Sequence, residues 1–228
     1  MQQIVGRKNV FVIVVTTLSI TPLVSAQAVN IDATDHGWYS SAGAHTPTNV
    51  NYFAGDTLSG RDFHNFFVFD LSGVTRQITA AKLALTLPSA GGYNSQDPSE
   101  TFELHDVTSS IPNLVAGTGG VDAYTDLGSG TVYGSRTITP ADSGSVVEIT
   151  LNSSAVAALD AAPGLFALGG SLTSLDPATN NEFIFGNTHL GLTITQLRLT
   201  LGHSPPGNFN DDKAVDAADY VLWRKIDN

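Results

Sequence analysis

Short apolar segments separated by Gly, Pro, Asn, Asp and Ser run from residue 28 to residue 202, the pattern of many strands joined by closely spaced turns. The clearest strands are predicted at 63–71, 81–87, 101–107, 131–138, 146–151, 165–172, 182–186 and 194–201. In two of them the alternation is strict. Leu83, Leu85 and Leu87, like Leu197, Leu199 and Leu201, make one apolar row, while Lys82, Ala84, Thr86, Arg198 and Thr200 take the other side. One face in a core and one in water is the habit of antiparallel sheets, so the predicted class is all-β: an antiparallel β-sandwich, jelly-roll-like, over 27–202. One short helix is predicted at 153–162, capped by Asn152, with Val156 and Leu159 on one face and Pro163-Gly164 ending it. It would close one end of the sandwich.

The chain begins differently. Arg7 and Lys8 precede an apolar run from Val10 to Val24, and Val24-Ser25-Ala26 stands ahead of Gln27 as a small-residue cleavage site. Residues 1–26 therefore read as a secretory signal peptide. Thr16, Thr17, Ser19, Thr21 and Pro22 interrupt the run, whereas a membrane span wants about 20 mainly apolar residues, so no membrane association is expected after cleavage. The expected location is outside the cell or on the surface of a bacterium.

Composition narrows the partners. Residues 1–26 hold two of the ten Lys and Arg and none of the 21 acids, which leaves the remainder at −13. Nucleic acid is excluded as a partner, because affinity for phosphate backbones comes from clustered Lys and Arg. There is no cysteine, so an exported domain of this length must be held by its core. Glu occurs only at positions 100, 103, 148 and 182; the many Asp suit turns and short-reach cation ligation.

After Gly202 the composition shifts. His203-Ser204-Pro205-Pro206-Gly207 reads as a stiff linker, and 208–228 as a separate segment. Calcium takes six to eight oxygens, which a twelve-residue loop supplies from its first, third, fifth, seventh, ninth and twelfth positions. Counted from Asn208, those are Asn208, Asn210, Asp212, the Ala214 carbonyl, Asp216 and Asp219, and a helical stretch from Tyr220 to Lys225 follows at once. The segment resembles one repeat of a type I dockerin, an EF-hand-like module that docks onto cohesins in polysaccharide-degrading assemblies. The resemblance implies a bound Ca2+ and a cohesin-like or other surface protein as partner. Three features depart from the pattern: Asn208 replaces the usual aspartate, Lys213 stands where glycine makes the sharp turn, and one repeat is present where a dockerin has two. Affinity near the roughly 10⁻⁴ to 10⁻³ M of extracellular modules follows. Ala217 and Ala218 occupy positions where dockerins carry partner-selecting polar side chains. The competing reading is a degenerate loop and helix that binds no metal.

The runs Phe66-Phe67-Val68-Phe69-Asp70-Leu71, Gly128-Ser129-Gly130-Thr131-Val132-Tyr133-Gly134 and Asn181-Glu182-Phe183-Ile184-Phe185-Gly186 resemble a β-sandwich type of secreted bacterial proteins, which implies a fold and no activity. No nucleophile elbow, phosphate loop or zinc-protease motif is present. His36, His45, His64, His105, His189 and His203 do not pair at spacings that place two rings on one metal. Glu103 and Asp106 flank His105, yet glycoside hydrolysis needs two acids across a cleft. Trp38, Tyr39, Tyr52, Tyr93 and Tyr124 are candidates for a sugar-stacking platform, and Asp97, Asp122, Asp126, Asp176 and Asn180 for a structural cation site. The leading expectation is an exported non-catalytic binding or display module with a calcium-dependent docking segment, associated with extracellular polysaccharide breakdown. The alternatives are a polysaccharide-active enzyme or accessory component and a structural surface or matrix protein.

Overall fold

The computed structural model describes residues 27–49, 51–176, 181–186, 194–202, 207–210 and 214–226. The expected signal peptide, linker residues 203–206 and the expected ligand Asp212 lie outside the described residues. In chain order the elements are β1 (Gln27–Ser40), β2 (Tyr52–Asp56), β3 (Asp62–Asp70), β4 (Ile78–Thr86), β5 (Tyr93–Asn94), β6 (Glu100–His105), α1 (Ile111–Ala116), α2 (Gly120–Leu127), β7 (Val132–Ile138), β8 (Val146–Thr150), α3 (Ser153–Ala161), β9 (Leu165–Leu172), β10 (Phe183–Gly186), β11 (Thr195–Leu201) and α4 (Ala217–Ile226). The fold is all-β in class, with its strands joined in one large antiparallel network.

β1 joins the two halves of that network. Its residues 27–32 pair with β11, which continues to β4 and β8, while residues from Ala33 onward pair with β3. The switch falls at a bulge between Ala33 and Asp35, where the Thr34 hydroxyl donates to the Val68 carbonyl at 3.2 Å. A bulge re-aims a strand, and this one lets a single strand serve both halves. On its other edge β3 meets β2 at its start and β9 further along, and β9 continues to β6 and β7. β2 leads outward to β10 and β5.

The two halves share one core. Leu83, Leu85, Leu197 and Leu199 from one belong to the same buried cluster as Phe67, Phe69, Leu104 and Leu168 from the other. The strict alternation read in β4 and β11 holds, and their outer face carries Lys82 and Arg198, both paired with Glu148 of β8. Ala84 is the exception, buried on the outer face between its register partners Gln196 and Glu148. β3 is apolar on both faces because a second cluster lies on its other side. There Tyr39, Phe66, Val68 and Ala167 pack on Leu114, Ala123 and Leu127 of α1 and α2. This is why 66–69 reads as an unbroken apolar run.

α3 forms as expected, with the Asn152 side chain accepting from the Ala155 amide at 3.0 Å. The expectation of a single short helix is corrected: α1 and α2 also belong to the β body. Both are short and flanked by Gly117, Gly119 and Gly128, text that reads locally as turns. What holds them is tertiary. The Tyr39 hydroxyl donates to the Leu114 carbonyl at 2.8 Å, and the Asp126 carboxylate accepts from the amides of Thr108 (2.9 Å) and Ser109 (2.8 Å), tying the approach to α1 onto α2. No described helix is long and apolar enough to cross a membrane.

Candidate metal centre

The C-terminal loop closes on Asp219, the twelfth position. Asp219 Oδ1 accepts from the amides of Phe209 (2.6 Å) and Asn210 (3.1 Å), and Oδ2 from the amide of Asp216 (2.9 Å). These bonds hold its carboxyl below the usual range, the Asp216 amide contributing most. A carboxylate offers about four lone-pair sites, so three amides leave it about one. Asp216 is likewise engaged: its Oδ1 accepts from the Ala218 amide at 2.7 Å, capping the first turn of α4. Asn208 contrasts with both, because its Oδ1 is buried and has no hydrogen-bond partner among the described residues. The structure therefore brings Asn210, Asp216 and Asp219 together through backbone bonds. The Ala214 residue is exposed, and Asp212 lies outside the described residues.

α4 runs from Ala217 to Ile226, three residues earlier than its expected start. Beside the loop, Phe209, Val215, Tyr220 and Trp223 line an open cavity of about 320 Å³ together with Gly207, Asp216 and Asp219. Each of these four apolar side chains is exposed. The Tyr220 and Trp223 rings lie 5.7 Å apart, and the Arg224 guanidinium sits 5.9 Å from the Tyr220 ring.

The loop acids of the β body divide. Asp126 is committed to the Thr108 and Ser109 amides, Asp122 is exposed in the first turn of α2, and Asn180 lies outside the described residues. Asp97 and Asp176 do converge, and the third member of their group is Glu182, which in the sequence reads only as the start of a strand. Burial, then the charges of Glu100, Asp176 and Asp97, push the Glu182 carboxyl up, with the Asp176 amide opposing. No local spacing could have joined these residues.

The aromatic expectations are partly overturned. Tyr39 and Tyr52 are fully buried core residues, and Tyr124 stacks on His64 at 4.1 Å, so none of the three forms an open platform. Trp38 is half-buried and heads a run of rings that pass edge to face through Phe63 (5.0 Å) to Phe53 (5.0 Å) and on to Phe183 (4.8 Å, tilted). From sequence Phe63 and Phe183 read as strand residues, and none of the three phenylalanines is marked as a sugar-stacking ring.

Around His105, Ser171 Oγ lies 3.4 Å from Nε2 and Glu103 Oε2 lies 3.9 Å from the same nitrogen, while Nδ1 is buried without a hydrogen-bond partner among the described residues. A serine relay needs base and acid on opposite ring nitrogens, so this is not one. Asp106 is taken by the Thr131 amide at 2.6 Å. Burial lowers the pKa of His45, His64 and His105 from 6.5. Lowered values mean that the unfolded chain takes up protons first, so stability is intact above pH 6.5 and declines as pH falls through that value and then through the folded ones. Thermal melts should show Tm dropping between pH 7 and 5, and His105→Gln should shallow the slope. Glu182, with its raised value, opposes this trend as pH falls from its folded value toward its ordinary 4.5. A flat Tm over that range would mean that the three rings are not desolvated.

The chain matches no protein-family model and no curated protein sequence.

Proposed function

We propose that this is an exported, non-catalytic binding or display protein whose β body is a sandwich and whose C-terminal loop and helix form a calcium-dependent docking segment. The observation that carries the reading is the loop itself: Asn210 and Asp216, two of the alternate positions calcium requires, are drawn by their amides onto Asp219 at a third, and Asn208 Oδ1 at the first is buried with no hydrogen-bond partner among the described residues. A bound Ca2+ would give that oxygen its partner and offset the acids. The neighbouring exposed row of Val215, Tyr220 and Trp223 supplies an apolar anchor for a partner protein, since aromatic residues dominate such contacts. A second reading, polysaccharide binding by the β body, draws on the linked rings of Trp38, Phe63 and Phe53, which offer apolar faces of the kind sugars stack on.

Calcium titration followed by Trp223 emission tests the first reading, in a Trp38→Phe background that leaves Trp223 as the only indole. A saturable change near roughly 10⁻⁴ to 10⁻³ M is expected, and its loss in Asp216→Ala with Asp219→Ala. Calcium-dependent capture of a purified cohesin, abolished by Trp223→Ala, is the docking counterpart. Emission that ignores calcium up to ~10 mM, tenfold beyond the weakest extracellular sites, would leave the segment as an inert tail.

A further inference from the structure

We infer that the β body holds a second, independent calcium site, made by Asp97, Asp176 and Glu182, which ties the loop before β6 to Asp176 after β9 and to Glu182 at the start of β10. One carboxylate oxygen from each of the three lies within 4.8 Å of the others. Acids gather in turns without any ion, so the cluster alone would say little. The independent observation is Glu182. It is fully buried, and among the described residues its Oε1 is shielded from water with no hydrogen-bond partner and its Oε2 meets only the Asp176 amide at 3.3 Å. A buried carboxylate oxygen with no donor is costly unless a cation or donor meets it. None of the ion pairs among the described residues involves Asp97, Glu100 or Glu182.

The surroundings are built to hold Glu182 in that position. Its backbone is pinned by Asp56, whose Oδ1 accepts from the amides of Asn181 and Glu182, each at 2.7 Å, while the Asp56 amide donates to the Glu182 carbonyl at 2.8 Å. Asn181 takes a left-handed conformation, φ 79°, to make this turn. Glu100, itself fully buried, stands behind the group with one serine on each oxygen: Ser95 Oγ donates to Oε1 at 2.7 Å, and Ser174 Oγ donates to Oε2. Ser95 Oγ also accepts from the Asp97 amide at 2.9 Å, and the Tyr93 hydroxyl donates to the Asp97 carbonyl at 2.8 Å, so Asp97 is fixed as well. Glu100 is thus satisfied, whereas Glu182 is held in place with its Oε1 unsatisfied among the described residues.

The donor set selects the ion. It is all oxygen, with neither imidazole nor thiolate, which disfavours zinc, and it comes from loops of irregular geometry, which suits Ca2+ better than the strict octahedron of Mg2+. Oxygens from loop carbonyls and water would complete the six to eight that calcium takes.

The test uses the full protein carrying Asp216→Ala and Asp219→Ala, so that the C-terminal loop contributes nothing and the two readings fail separately. After chelator treatment, calorimetric titration with CaCl2 should show one saturable site, and Tm should rise by roughly 5–10 °C at a hundredfold excess over Kd. Tb3+ should bind at the same site and be sensitised by Tyr93, with Tyr93→Phe dimming the emission. Glu182→Gln and Asp97→Asn, each added to that background, should weaken calcium at least tenfold; Asp97 lies half-exposed, so its variant carries the test if Glu182→Gln fails to fold. Absence of heat and of any Tm shift up to ~10 mM calcium overturns the site. Binding that survives unchanged in Asp97→Asn overturns its location.

Discussion

Phe67→Ala is expected to remove about 3–5 kcal/mol of folding stability, and to lower Tm by roughly 6–20 °C. Phe67 is fully buried at the centre of β3, in register with His36 on one side and Leu168 on the other. Its ring lies 5.4 Å from that of Tyr52, and it belongs to the cluster in which β4 and β11 meet β3, β6 and β9. Truncation therefore loses the transfer free energy of a benzyl group, a favourable aromatic contact, and the van der Waals contacts of a cavity walled by side chains anchored on paired strands, which can collapse only partly. Against a total stability of about 5–15 kcal/mol the loss is a large fraction. Urea melts of the variant beside Leu58→Ala give the comparison. Leu58 is 80% exposed, and its loss should change stability by no more than about 0.5 kcal/mol. A Phe67→Ala cost under ~1 kcal/mol would mean that the two halves of the strand network do not share a packed core.

Gly170→Ala is the second large effect, and it acts by crowding. Gly170 lies on β9 between Asn65 of β3 and Leu104 of β6. A Cβ there would sit 2.3 Å from Asn65 Oδ1 and 2.5 Å from Phe102 Cζ. Both neighbours are fully buried, so neither can swing into solvent to make room. The expected cost is about 2–3 kcal/mol, the range of overpacked cores, read as a fall in the urea midpoint at unchanged slope. Gly73→Ala is the matched control: a Cβ at that position would meet nothing within 4 Å, and the substitution should be near neutral. A neutral Gly170→Ala would show that β3, β9 and β6 can shift apart, which the shared register argues against.

What could be read from sequence follows physical locality. Leu83, Leu85 and Leu197, Leu199 announced two half-buried strands because pleating puts alternate side chains on one face whatever the rest of the chain does. Asn152 announced a helix start because its side chain needs only an amide three residues ahead. β1 is not among the clearest strands of the sequence although Val29, Ile31 and Ala33 do alternate, and its role as the strand common to both halves depends on partners far along the chain. α1 and α2 escaped for the same reason, since their stability comes from Tyr39, Phe66 and Val68 rather than from their own short turns.

The candidate sites divide along that line. The alternate oxygen-bearing positions of 208–219 are legible because one short stretch supplies them all, and the acidic, cysteine-free character of the chain is likewise a property of composition. The convergence of Asp97, Asp176 and Glu182, the burial that strips Glu182 of water and the loss of Tyr39 and Tyr52 to the core were decided only in three dimensions. Local patterns are set by bonded geometry within a few residues. Burial and convergence are set by which strands pair, and that choice is made by the whole chain at once.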